Sequence, residues 1–178
     1  MNIEDLLRHS TETVGNLSND RLVFVRNKNL HSILHRFDKE EHRLEFVTKF
    51  RGITLINDAK ANCLNALYYS LETIKQKIVW ITAANNDVID YTEVSGLVLQ
   101  KVKAIVCVGE CASSIKHAFD KHIPQIYERL TMEEAVMTSF YIAEENETVL
   151  LSSANTYDKS FKDYTDMGTQ FRNAIAQL

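Results

Sequence analysis

The chain has 178 residues, 45% hydrophobic and 25% charged, which gives room for one globular core of ordinary size and little more. A formal charge of -4 and a pI near 5.9 argue against a nucleic-acid partner, because phosphate backbones require clustered Lys and Arg. No apolar run reaches about 18 residues, so no membrane span is expected.

The opening MNIEDLLRHS has acidic residues and no apolar h-region, predicting no signal peptide and a cytoplasmic address. Residues 1–41 are charged and hold one strand-like run, Leu22 to Val25, and one helix-like run, Asn29 to Phe37. They show no complete supersecondary unit and are expected to be an appendage, or the remnant of a linker or preceding domain. The domain proper is expected over 42–178.

From Leu44 the pattern becomes regular. LEFVTKF and ITLIN flank Arg51-Gly52 and predict a hairpin with a tight turn. A helix over about Ala61 to Lys75 follows from Leu64, Leu67, Tyr68 and Leu71, spaced by three and four. KIVWITAA lacks polar alternation, as expected of a strand covered on both faces of a parallel sheet. Next come a helix in DYTEVSGLVLQKV, a buried strand in AIVCVG and a helix in CASSIKHAFDK, with Ala112, Ile115 and Phe119 in register. IPQIYE is a short strand with its proline at the start. Thr131 and Glu134 form a capping box ahead of the helix in TMEEAVMTSFYIA. ETVLLSSA is a last buried strand, and FKDYTDMGTQFRNAIAQL a last amphipathic helix.

Strand alternating with helix predicts an α/β fold, a three-layer domain with right-handed crossovers. Its sheet has about six mostly parallel strands, one antiparallel edge strand and helices on both faces. In such a sheet ligands bind beyond the carboxyl ends of the strands, so Asn57 to Asn62, Ala83 to Asp90, Gly109 to Ser113 and Ser152 to Tyr157 are expected on one rim.

The five glycines, at 15, 52, 96, 109 and 168, cannot form a P-loop or a G-x-G-x-x-G turn. His31, His35 and His42 lack the neighbours of a metal site and are expected to face solvent. Cys63, Cys107 and Cys111 are too few for a disulfide framework and read as buried thiols, although a helix start beside Cys111 would lower its pKa. The cluster Asn57, Asp58, Lys60, Asn62 stands where a strand hands over to a helix. There Asp58 suits a ribose or a neighbouring cation, and Lys60 suits an anion helped by unpaired helix amides. An N-cap with a solvated lysine explains the same spacing equally well. Ser152, Ser153, Asn155 and Thr156 form a second polar loop suited to carboxylate or hydroxyl groups, or to loop capping.

Taken in order, HRLEFV, GITLINDAKAN and VLLSSANTYDKSFKDYTDMGTQF resemble the C-terminal domain of Mur ligases, the D-glutamate-adding branch above all, over about residues 34–178. The resemblance implies a Rossmann-like domain that delivers an amino acid to an acyl phosphate made by a separate ATP- and magnesium-binding domain. It places Arg43 and Asp58 on nucleotide-binding positions, with Lys60 beside them, and Asn62, Asp87, Tyr157 and Tyr164 on amino-acid-binding positions. Asp87 stands where the family has a lysine that holds the substrate carboxylate, a reversal of charge that would repel D-glutamate. Asn62 replaces a threonine and Tyr157 a serine. The expectation is a binding domain that is not catalytic alone and holds no cofactor alone. ATP and Mg would be bound only together with an ATPase unit. The expected partners are that unit, a nucleotide or an amino acid. The alternative is a ligase half that makes amide bonds once completed.

Overall fold

Arg51 and Gly52 both adopt left-handed backbone, with φ of 48° and 78°, the conformation that reverses a two-residue hairpin without splaying its strands. In the computed structural model, which describes residues 40–85, 89–109 and 112–178, that turn joins β1 (Glu45–Phe50) to β2 (Ile53–Asn57). The pair is antiparallel, with a bulge between Phe46 and Thr48. The chain then runs through α1 (Leu64–Thr73), β3 (Ile78–Thr82), α2 (Thr92–Lys101), β4 (Val102–Val108), α3 (Ala112–Phe119), β5 (Ile126–Arg129), α4 (Met132–Ile142), β6 (Thr148–Leu151) and α5 (Tyr164–Ile175).

The sheet order is β1-β2-β6-β3-β4-β5, parallel throughout except for β1 at one edge. The expected α/β class, six strands and single antiparallel edge strand are all found. Every residue of β3 and β6 is buried, which accounts for their unbroken apolar runs.

Alternate residues of the strands feed two cores. Trp80, Ile105 and Leu150 face α1, α2 and α3, where they meet Leu67, Leu71, Val94, Val98, Ile115 and Phe119. Val79, Ile81, Val106 and Leu151 face α4 and α5, where they meet Ala135, Val136, Met167 and Phe171. Burying a large apolar side chain contributes about 1.5–3 kcal/mol, so these two layers supply most of the driving force.

The helix ends are closed by specific donors and acceptors. Thr131 Oγ1 accepts from the Glu134 amide at 3.2 Å, and the Glu134 carboxylate accepts from the Leu130 amide at 3.0 Å. Lys101 donates to the carbonyls of Leu71 and Ile74 at 2.5 and 2.6 Å, satisfying the end of α1 from the neighbouring helix. The helix expected over Ala61 to Lys75 begins only at Leu64, because residues 58–63 are held in the rim: the Lys60 amide donates to His42 O, and the Ala61 amide to Asp58 O.

Candidate functional site

At the carboxyl end of β2 the backbone turns outward into the polar cluster. Asp58 is fully buried, and both of its oxygens are engaged. Oδ1 accepts from Arg43 Nη1 at 3.2 Å and from the Leu44 amide at 3.0 Å, and Oδ2 accepts from Ser70 Oγ on α1. Burial pushes the Asp58 carboxyl up from its ordinary pKa, opposed by Arg43 and by these hydrogen bonds. Arg43 is itself only 4% exposed. Its Nε and Nη2 meet no acceptor among the described residues, so one edge of a buried guanidinium is left without a partner. Lys60 pairs with Glu40 and lies 5.5 Å from the centre of the Tyr164 ring.

Behind this corner lies a second cluster. His42, expected to face solvent, is 2% exposed, because α5 packs directly onto it. Gly168 permits that approach: a Cβ there would stand 2.2 Å from His42 Nδ1. Asn57 Nδ2 lies 2.8 Å from the same nitrogen and donates to Glu45 at 3.1 Å, while Arg172 Nη2 lies 3.1 Å from His42 Nε2 and donates to Glu41 at 2.6 Å. Burial, and then Arg172, hold the His42 pKa below its ordinary value. Arg172 likewise holds the Glu41 carboxyl low. Nothing in the spacing of His42, Asn57 and Arg172 announced this cluster, since 115 residues separate Asn57 from Arg172. The glycine inside the last helix, Gly168, is the one signal that could have found it.

The loop after β6 lies across the sheet's carboxyl end. Trp80 Nε1 donates to Ser152 O at 2.8 Å, the Ala154 amide donates to Ala61 O, and Ala84 bridges Tyr157. The Asp158 carboxylate lies over Gly109, where a Cβ would stand 2.7 Å from its Cγ. The rim segments expected to converge are therefore tied to one another.

Beside them opens a cleft of about 270 Å³ lined by Asn62, Cys63, Leu64, Ile89, Ala154, Asn155 and Thr156. Asn62 Oδ1 has no hydrogen-bond partner among the described residues. None of the described lining residues carries a charge. Cys63, expected to be buried, is half-buried on the wall of this cleft, whereas Cys107 is buried as expected.

The structure thus brings Arg43, Asp58, Lys60 and Tyr164 together and puts Asn62 on a neighbouring cleft. Tyr157 is half-buried against the α4/α5 core. Asp87 and Cys111 lie outside the described residues, as do His31, His35 and the strand and helix expected before residue 40. Among the described residues, no three His, Cys, Asp or Glu side chains are grouped to hold a metal ion.

The family model described as Mur ligase, glutamate ligase domain, matches residues 42–155. The chain belongs to this family. The chain is 34% identical over 158 residues to a UDP-N-acetylmuramoylalanine--D-glutamate ligase of Christiangramia forsetii, spanning 89% of the chain and 36% of that protein. It is 37% identical over 142 residues to the enzyme of that name from Chloroherpeton thalassium, spanning 80% and 30%. The chain thus spans about a third of the length of such relatives. Among solved structures, it superposes on a UDP-N-acetylmuramate-alanine ligase of Thermotoga maritima with a TM-score of 0.53 at 18% identity, covering 82% of this chain and 32% of that one. The Mycobacterium tuberculosis folylpolyglutamate synthase complexed with ADP and AMPPCP gives 0.53 at 11%, covering 75% and 32%. At these identities the superpositions establish the fold alone.

Proposed function

We propose that this glutamate ligase domain is a binding module, not catalytic alone, that supplies half of a nucleotide site. Arg43, fixed by Asp58, and Lys60 are presented to an anion held chiefly by a separate ATP-binding unit. The observation that carries this reading is the unpartnered edge of Arg43. A buried guanidinium with Nε and Nη2 unsatisfied is costly to keep, and a phosphate or carboxylate oxygen pair matches its fork. Asp58 acts through Arg43, since it is fully buried and both of its oxygens are engaged by protein donors. When bound, a nucleotide would supply the phosphoryl group that activates a carboxylate, and magnesium would neutralise its charge. The residues of this chain orient and bind.

Calorimetric titration with ADP tests the proposal. Weak binding, of millimolar order, is expected, with the heat lost in Arg43→Lys, which keeps the charge and removes the fork. Absence of heat for the unmodified chain at millimolar ADP, or equal heat in the variant, would sink it.

A second reading is favoured by the cleft at Asn62. Completed by an ATPase unit, the domain would seat an amino acid there and form an amide bond, as the names of its relatives indicate for those enzymes. Because the described lining is uncharged, the cleft selects for hydrogen-bonding groups more than for a particular charge.

A further inference from the structure

A neutral imidazole has one N–H and one lone-pair nitrogen, yet both ring nitrogens of His42 face N–H donors: Asn57 Nδ2 at 2.8 Å and Arg172 Nη2 at 3.1 Å. Reversing the Asn57 amide does not relieve this. Its oxygen accepts from the Ala59 amide at 3.2 Å, and its nitrogen faces Glu45 Oε2 at 3.1 Å and Gly168 O at 3.4 Å, so the flipped group would set an oxygen against two acceptors. The ring therefore always has one N–H opposed to a donor. Two carboxylates wait just beyond hydrogen-bonding range, Glu45 Oε2 at 3.8 Å from Nδ1 and Glu41 Oε1 at 3.8 Å from Nε2.

The charged groups facing the ring are Glu41 and Glu45 from its own segment, and Arg172 and Asp163 from α5 and its N-cap. β2 contributes only the neutral Asn57. Tyr164 of α5 meets the ring edge-on, with centroids 6.1 Å apart.

We infer that His42 is a proton-operated latch between α5 and the β1–β2 corner. With the ring neutral, Asn57 and Arg172 close on it and α5 is docked. A proton taken from solvent turns both ring nitrogens into donors, which move to Glu45 and Glu41, and Arg172 is driven off the ring. The corner loosens where it carries the site, because the Lys60 amide donates to His42 O and Arg43 is the next residue. The latch does not depend on nucleotide binding.

The sign of the pH effect follows from the lowered ring pKa. The folded ring binds a proton less readily than the unfolded one, so this contribution to stability is complete above about pH 6.5. It falls as the pH drops toward the ring's own midpoint.

Nitrogen-15 NMR of the imidazole rings from pH 8.5 to 5, on the full chain, tests the latch, with His42 assigned by its loss in His42→Gln. The ring is expected to titrate below pH 6.5, and the amides of Met167 to Arg172 to shift with the same midpoint, a response absent in the variant. A midpoint at or above 6.5, or amides that stay flat through it, overturns the inference. If His42→Gln does not fold, Arg172→Gln replaces it: removing the guanidinium must raise the ring's midpoint, and an unchanged midpoint is equally fatal.

Discussion

Asp58 shows how one buried carboxylate can organise a polar corner through its own hydrogen bonds. It is fully enclosed and spends one carboxylate on Arg43, Leu44 and Ser70, drawing β1's approach, the rim and α1 to a single point. Removing one member of a buried pair leaves an uncompensated charge, which costs about 3–5 kcal/mol. Asp58→Ala should therefore lower the unfolding free energy obtained from urea titration by an amount of that order, whereas breaking an exposed pair such as Lys116 with Glu128 should change it little. Equal effects at the two sites would deny Asp58 its anchoring role. The presence of a polar cluster at the strand end was legible in Asn57-Asp58-x-Lys60, although the spacing suited an N-cap with a solvated lysine equally well. Its internal pairing was not, because which partner a carboxylate takes depends on where residue 43 returns in space.

Among the elements, strands and helices followed directly from period and capping. The fully buried β3 and β6 announced themselves by unbroken apolar runs, and the Arg51-Gly52 turn by its residues. The position of β6 was hidden: the last strand in sequence lies between β2 and β3, an insertion that no local pattern encodes. The docking of α5 was also hidden. Two glycines inside helices make opposite predictions. At Gly168 a methyl group would collide with His42 and come within 3.0 Å of Asn57, so Gly168→Ala should destabilise the fold by about 1–3 kcal/mol. At Gly96 in α2 nothing lies within 4 Å, and Gly96→Ala should stabilise it by about 1 kcal/mol through helix propensity alone. Thermal melts at pH 7.5 distinguish them, and a shift of the same sign for both would contradict the packing described for α5.

At the scale of the whole molecule, a two-core α/β sheet ends in a rim where one buried donor keeps an unpartnered edge among the described residues. Beyond the strand ends the described loops after β2, β3 and β6 are tied to one another by backbone hydrogen bonds, and Arg43 is left with an edge that no described residue fills. The family resemblance pointed to the same three residues, Arg43, Asp58 and Lys60, from sequence. The structure adds that Asp58 is saturated on Oδ1 by Arg43 and Leu44 while the buried Arg43 keeps an unpartnered edge, and that Asn62 lines a neighbouring cleft.

The affinity for ADP of an ATP-binding domain of the Mur type, measured with and without this chain, tests the half-site most directly. Addition of the chain is predicted to tighten binding by on the order of tenfold, equivalent to about 1.4 kcal/mol, or roughly one hydrogen bond to a charged group. Arg43→Lys is predicted to abolish the gain. An affinity that does not change when the chain is added, or a gain that survives Arg43→Lys, would contradict the account.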